Sequence, residues 1–154
     1  MDDYNVLNLS DVDKGYIAGI LDGEGSLSVY ISTNRNGSFR VVALIKVGMT
    51  NKDIIYWLKD VTGLGSINER KPKNPKWKTA YVWEVAGGNQ VSQLLLSVGD
   101  CLRVKKDHAR IMLELCYLLS QNKGRLKERF EPVRQLEIYY EMRELNKKGV
   151  ELSH

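Results

Sequence analysis

Two carboxylates stand two residues apart in Asp22-Gly23-Glu24-Gly25, separated and followed by glycine. The residues ahead of them read as a helix over roughly 12–23, so the acids fall at its C-terminal end. There the helix dipole disfavours an anion by about 0.3–1 kcal/mol. A bound divalent cation would offset that. Glu24 offers a hard carboxylate oxygen and Gly23 a backbone carbonyl, donors suited to the octahedral, partly hydrated coordination of magnesium. On spacing alone, a tight polar turn accounts for DGEG as well.

The helix leading to these acids has two unlike faces. Ile17, Ile20 and Leu21 share one, while Gly15, Ala18, Gly19 and Asp22 share the other, which is almost bare backbone. Each glycine costs about 1 kcal/mol of helix propensity relative to alanine, and close approach of another helix would compensate. Whether that helix belongs to the same chain or to another is open at this point. Positive charge collects elsewhere: Arg70–Lys78, RKPKNPKWK, holds five cations and no acid, and Arg103, Lys105 and Lys106 form a second group. With a net charge of +4, this distribution permits a nucleic-acid partner without establishing one.

The elements that position these residues are legible from caps and periodicity. Ser10 or Asp11 caps the first helix. The alternation in SLSVYISTN predicts a half-buried strand with Leu27, Val29 and Ile31 on one face and Ser28, Tyr30, Ser32 and Asn34 on the other. The turn Asn34-Arg35-Asn36-Gly37 leads to a second strand, FRVVALIKVGM. Asn51 opens a helix with Ile54, Leu58 and Val61 inward and Gly63 at its stop. Gly65–Arg70 and Thr79–Val85 read as a second hairpin around the lysine-rich loop. A third helix begins at Asn89, burying Val91, Leu94, Leu95 and Val98, and helices over about 107–121 and 132–147 follow. The order αββαββα plus C-terminal helices predicts an α+β domain whose antiparallel sheet carries helices on one face.

At 154 residues one domain is expected, with a core over about 10–120. The charge-free stretch Ala86–Gly99 is too short and polar to cross a bilayer. MDDYNVLNLSDVDK lacks the basic and apolar regions of a secretory signal, so an intracellular chain, cytoplasmic or organellar and not secreted, is expected. Cys101 and Cys116 read as buried free thiols in a reducing compartment. With His108 and His154 they have no zinc-site spacing.

Residues 17–25, IAGILDGEG, closely resemble the motif that names the LAGLIDADG homing endonucleases, and Gly15-Tyr16 and Ser26-Leu27 fit around it. The resemblance covers roughly residues 10–120 and implies the αββαββα fold of that family, with a saddle-shaped antiparallel sheet. It implies that two motif helices pack side by side, and that Glu24, with the carbonyl of Gly23, holds magnesium at the scissile phosphate; manganese or calcium are the other cations expected there. The family accepts either acid at the position of Glu24, and Asp22 is the more structural of the pair.

Only one motif is present, so the small face of Gly15, Ala18, Gly19 and Asp22 is expected to meet a second copy of the chain. The implied function is a metal-dependent, site-specific DNA endonuclease of intron homing. It would act as a homodimer, hydrolysing both strands of a long, near-palindromic site. Lys105 aligns with a family lysine beside the scissile phosphate, and of Lys46, Met49 and Asn51 near the end of the second strand, Lys46 is the preferred water-orienting residue. The sheet would lie along the major groove. Strand parity puts Ser28, Tyr30, Ser32, Asn34, Arg40, Lys46, Asn68, Arg70, Thr79 and Tyr81 on the DNA side, with Arg35 in the adjoining turn. Lys71, Lys73, Lys76 and Lys78 are assigned to phosphates. The alternative functions are an intron RNA maturase and a non-cleaving DNA-binding protein. Lys123, Arg125, Lys127 and Arg129 form a basic connection suited to a DNA backbone.

Overall fold

The computed structural model describes residues 6–121 and 131–147; the basic connection from Lys123 to Arg129 lies outside the described residues. Helix α1, Asp11–Glu24, is capped by Ser10, whose side chain accepts the Asp13 N–H, and carries Asp11 and Asp13 in its first turn. It turns straight into β1, Gly25–Thr33, which pairs antiparallel with β2, Phe39–Met49. Only glycine fits that junction: a Cβ on Gly25 would meet the Leu21 carbonyl oxygen at 2.6 Å. Helix α2, Lys52–Thr62, runs from the Asn51 cap to Gly63, which takes the left-handed conformation at φ 69°. Its buried residues are Ile55, Leu58 and Thr62, with Ile54 and Val61 half-buried at the edge of the stripe.

Strands β3, Ser66–Arg70, and β4, Ala80–Ala86, complete one antiparallel sheet of order β1-β2-β4-β3. Helix α3, Gly88–Val98, buries the four residues expected of it, and a single 3₁₀ turn, Gly99–Cys101, follows. Cys101 is exposed on this turn, contrary to the expectation of two buried thiols. Cys116 is buried in α4, Lys106–Ser120, where burial pushes its thiol up to about 12. The last helix, α5, Glu131–Leu145, is joined to α4 by the Arg134–Glu114 ion pair, and just beyond it Asn146 donates to the Leu27 carbonyl of the edge strand β1 at 2.9 Å.

The helices cover one face of the sheet. Leu27, Val29, Val41, Ala43, Ile45, Val47, Trp83 and Val85 on that face form a single core with Ile17 and Leu21 of α1, Ile55 and Leu58 of α2, and the inner residues of α3, α4 and α5. Trp83 is fully buried, and its indole N–H donates to the Leu64 carbonyl at 2.9 Å. The opposite face of the sheet is open. Among the described residues no helix is long and apolar enough to cross a membrane.

Candidate functional site

The two acids at the end of α1 have different fates. Asp22 faces the segment that starts α4: its Oδ2 accepts the Arg103 N–H at 2.8 Å, and its Oδ1 accepts those of Lys105 at 3.0 Å and Val104 at 3.2 Å. The anion at the C-terminus of one helix is thus placed at the positive N-terminus of another, which removes its dipole penalty without a cation. Burial pushes the Asp22 carboxyl up, but the three backbone bonds and the Lys105 charge outweigh it and hold the group below its ordinary value. Glu24, the last residue of the helix, is exposed and makes no hydrogen bond or ion pair among the described residues.

Lys105 comes to the same place. Its Nζ donates to the Asp22 carbonyl oxygen at 2.7 Å, two residues before Glu24. Lys46 does not join them directly. It stands opposite Ser26 on the open face, and its Nζ lies 3.4 Å from Glu84, which also lies 3.8 Å from Arg70. Glu84 was not among the expected site residues, although it alternates with Trp83 and Val85, which must both face the core.

The bare face of α1 is present, with one correction. Gly15, Gly19 and Gly23 have no neighbouring atom within 4 Å of where a Cβ would stand, so no described part of the chain packs on them. Ala18, by contrast, is fully buried with Ile17 and Leu21 and belongs to the chain's own core. It stands about 60° from both Gly15 and Leu21, and packing takes it inward. A groove of about 750 Å³ runs along the glycine face, lined by Gly15, Gly19, Asp22 and the stretch Asp100–Arg103, with Lys106.

On the open face of the sheet the register sets Ser28, Tyr30 and Ser32 opposite Leu44, Val42 and Arg40, and continues through Lys46, Asn68 and Arg70. Val42, Leu44 and Val82 make this face more apolar at its centre than the polar residues alone implied. Tyr81 is on the other side. It shares the parity of Trp83, pairs with Met49 and Glu69, and packs edge-on to Tyr56 beneath Lys52. Burying the Trp83 indole fixes the parity of β4 and takes Tyr81 to the helices. Thr79 precedes β4 and has no ladder partner, and Asn34 and Arg35 lie in the turn beyond β1, where Asn34 donates to Ser38. Lys71, Lys73, Lys76 and Lys78 are exposed on the β3–β4 connection.

Among the described residues no three His, Cys, Asp or Glu side chains converge on one point. The exposed Glu24 carboxylate, with backbone oxygen beside it, is the donor set that the end of α1 offers a cation. That set fits magnesium, which keeps several waters and is bound through one or two carboxylates together with substrate phosphates.

No family model and no curated protein sequence matches the chain. Solved structures do. The archaeal intron-encoded homing endonuclease I-Vdi141I, complexed with DNA, is 24% identical with a TM-score of 0.74, over 94% of this chain and 90% of that one. The homing endonuclease I-CvuI, in complex with its target in the presence of calcium, is 18% identical with a TM-score of 0.71, over 93% and 87%. The LAGLIDADG homing endonuclease I-SmaMI, bound to cleaved DNA, is 20% identical with a TM-score of 0.62, over 96% of this chain and 47% of that one. The chain has the LAGLIDADG homing endonuclease fold.

Proposed function

We propose that the protein is a homing-type DNA endonuclease that acts as a homodimer on a long, near-palindromic duplex and cuts both strands by metal-dependent hydrolysis. The observation that carries this is α1: three glycines on one face, Gly15, Gly19 and Gly23, have no described neighbour where a Cβ would stand, and the helix ends at Glu24, exposed and without a hydrogen bond or ion pair among the described residues. Two such faces pack closely only if nothing projects from them, and their approach brings two Glu24 residues together. This chain spans nearly all of I-Vdi141I and less than half of I-SmaMI.

Glu24 and the Gly23 carbonyl would hold magnesium, with manganese or calcium as substitutes. When bound, such an ion supplies Lewis acidity toward the scissile phosphate and lowers the pKa of a coordinated water. Lys105, tethered to the Asp22 carbonyl, sets a positive charge at the end of α1, where it can offset charge that develops on the phosphate. The open sheet face supplies groove contacts through Ser28, Tyr30, Ser32, Arg40, Asn68 and Arg70, and the loop lysines supply phosphate contacts.

Glu24→Gln tests the centre. It should retain DNA affinity and lose at least about a hundredfold in cleavage rate with magnesium, measured on a plasmid library of candidate palindromes. Cleavage close to wild type would remove Glu24 from the centre.

A further inference from the structure

The β3–β4 connection carries more than lysine. Trp77 is 67% exposed at its tip, whereas Trp83 is fully buried and Trp57 packs edge-on to Tyr16 at 5.3 Å. The loop that presents it is built: Asn74 Oδ1 accepts the Lys76 N–H at 3.0 Å and the Asn74 carbonyl accepts the Trp77 N–H at 3.1 Å, closing a turn around Pro75. An indole left in water forgoes the burial that makes tryptophan a dominant anchor in cores and interfaces. Here it is surrounded by exposed lysines, with no acid from Arg70 to Lys78.

The position of the loop selects the partner. Gly25 is opposite Val47, Val47 is opposite Trp83, and the ladder ends at Arg70–Ala80. The loop thus leaves the sheet about 10 Å beyond the level of Glu24, at the α1 end and away from the Asn34–Ser38 turn. It continues a strand pair whose open-face residues include Asn68 and Arg70. A ligand lying on that face meets the loop next.

We propose that Trp77 is an apolar anchor on duplex DNA, its ring seated against sugars or base edges while the surrounding lysines hold the flanking phosphates. The inference rests on the DNA-binding function proposed above. Its role is distinct from that of the lysines, because an apolar contact adds affinity without releasing counterions.

The experiment uses the full-length protein and a mixed-sequence duplex of about 30 base pairs at low salt, with a target site substituted once one is selected. Acrylamide, a neutral quencher, should quench a component of the free protein's emission that Trp77→Phe removes, and duplex should shield that component. Trp77→Ala should weaken binding by about tenfold with an unchanged salt slope, and Trp77→Phe should restore most of it. A Lys73→Gln, Lys76→Gln variant should instead lower the slope by about two. Unchanged thermal unfolding of the Trp77 variants confirms that the fold is intact. If the wild-type chain binds no duplex, the DNA function itself fails. If it binds while Trp77 stays open to quencher and Trp77→Ala binds equally well, only the anchor is refuted. Shielding of Trp77 before DNA is added would assign the ring to a protein contact and also overturn the proposal.

Discussion

Asp22→Asn isolates the carboxylate that ties α1 to the start of α4. Hydrogen bonds to a charged group contribute roughly 1.5–3 kcal/mol each, and Asp22 accepts three, at 2.8, 3.0 and 3.2 Å. Asparagine keeps one carbonyl oxygen, which still serves Val104 and Lys105, and turns its NH₂ toward the Arg103 N–H, donor against donor. One bond is lost, together with the charge at the N-terminus of α4; the site is half-buried, so water recovers part of the loss. The net loss should be about 2 kcal/mol, which lowers the melting temperature by about 4–8 °C in a chain of this size. The dependence on pH has a definite sign. Asp22 is held below its ordinary value in the folded state, so its contribution is complete above the unfolded value of about 3.9 and fades as pH falls through the folded one. Asparagine does not titrate there. Thermal unfolding followed by circular dichroism should show a gap between the two proteins that is widest near neutral pH and narrows below about pH 4. No gap at neutral pH, or a gap indifferent to pH, refutes this account of Asp22.

Gly19→Leu should leave the monomer fold intact, and even favour α1 by about 0.5–1 kcal/mol, because no described atom lies within 4 Å of where its Cβ would stand and the rest of the side chain enters the open groove. Sedimentation should then find a monomer at concentrations where the wild type is a dimer; a dimer of unchanged affinity would place the interface elsewhere. Gly25→Ala should destabilise by about 2–3 kcal/mol, since its Cβ meets backbone atoms of Leu21 at 2.6 and 2.8 Å. Gly23→Ala, two residues earlier in open space, should be neutral or stabilising in the same chemical-denaturation assay, and equal losses in both would show that Gly25 is not the tight junction.

Local chemistry made most of the elements legible. The Ser10 and Asn51 caps, the Gly63 stop and the alternation in β1 and β2 each act within a few residues, and a chain read in sequence shows them directly. What escaped was decided at a distance or by competition between neighbours. The donors to Asp22 lie 81 to 83 residues further along, so the sequence displayed two acids at a helix end with no sign that one was already satisfied. The parity expected of β4 sets Tyr81 with the groove residues; burying Trp83 gives the strand the opposite parity. Ala18 stands about 60° from both Gly15 and Leu21 on the helix, so periodicity alone leaves it between the two faces, and packing takes it into the core.

The same geometry explains why DGEG could be read two ways from sequence. Asp22 and Glu24 are two residues apart, about 200° around a helix, and cannot face the same partner. One turns inward and is neutralised by the start of α4. The other is the last residue before a junction that only glycine can make, and it is exposed at the end of the helix. Turn chemistry therefore accounts for Gly25, and capping for Asp22. Neither accounts for Glu24, nor for Gly15, Gly19 and Gly23, whose Cβ positions have no neighbour within 4 Å among the described residues. Gly15, Gly19 and Gly23 share one face of the helix, and Glu24 is exposed at the helix end that follows them. A fold that tolerates about 1 kcal/mol for each of those glycines has that face available for a contact outside the chain.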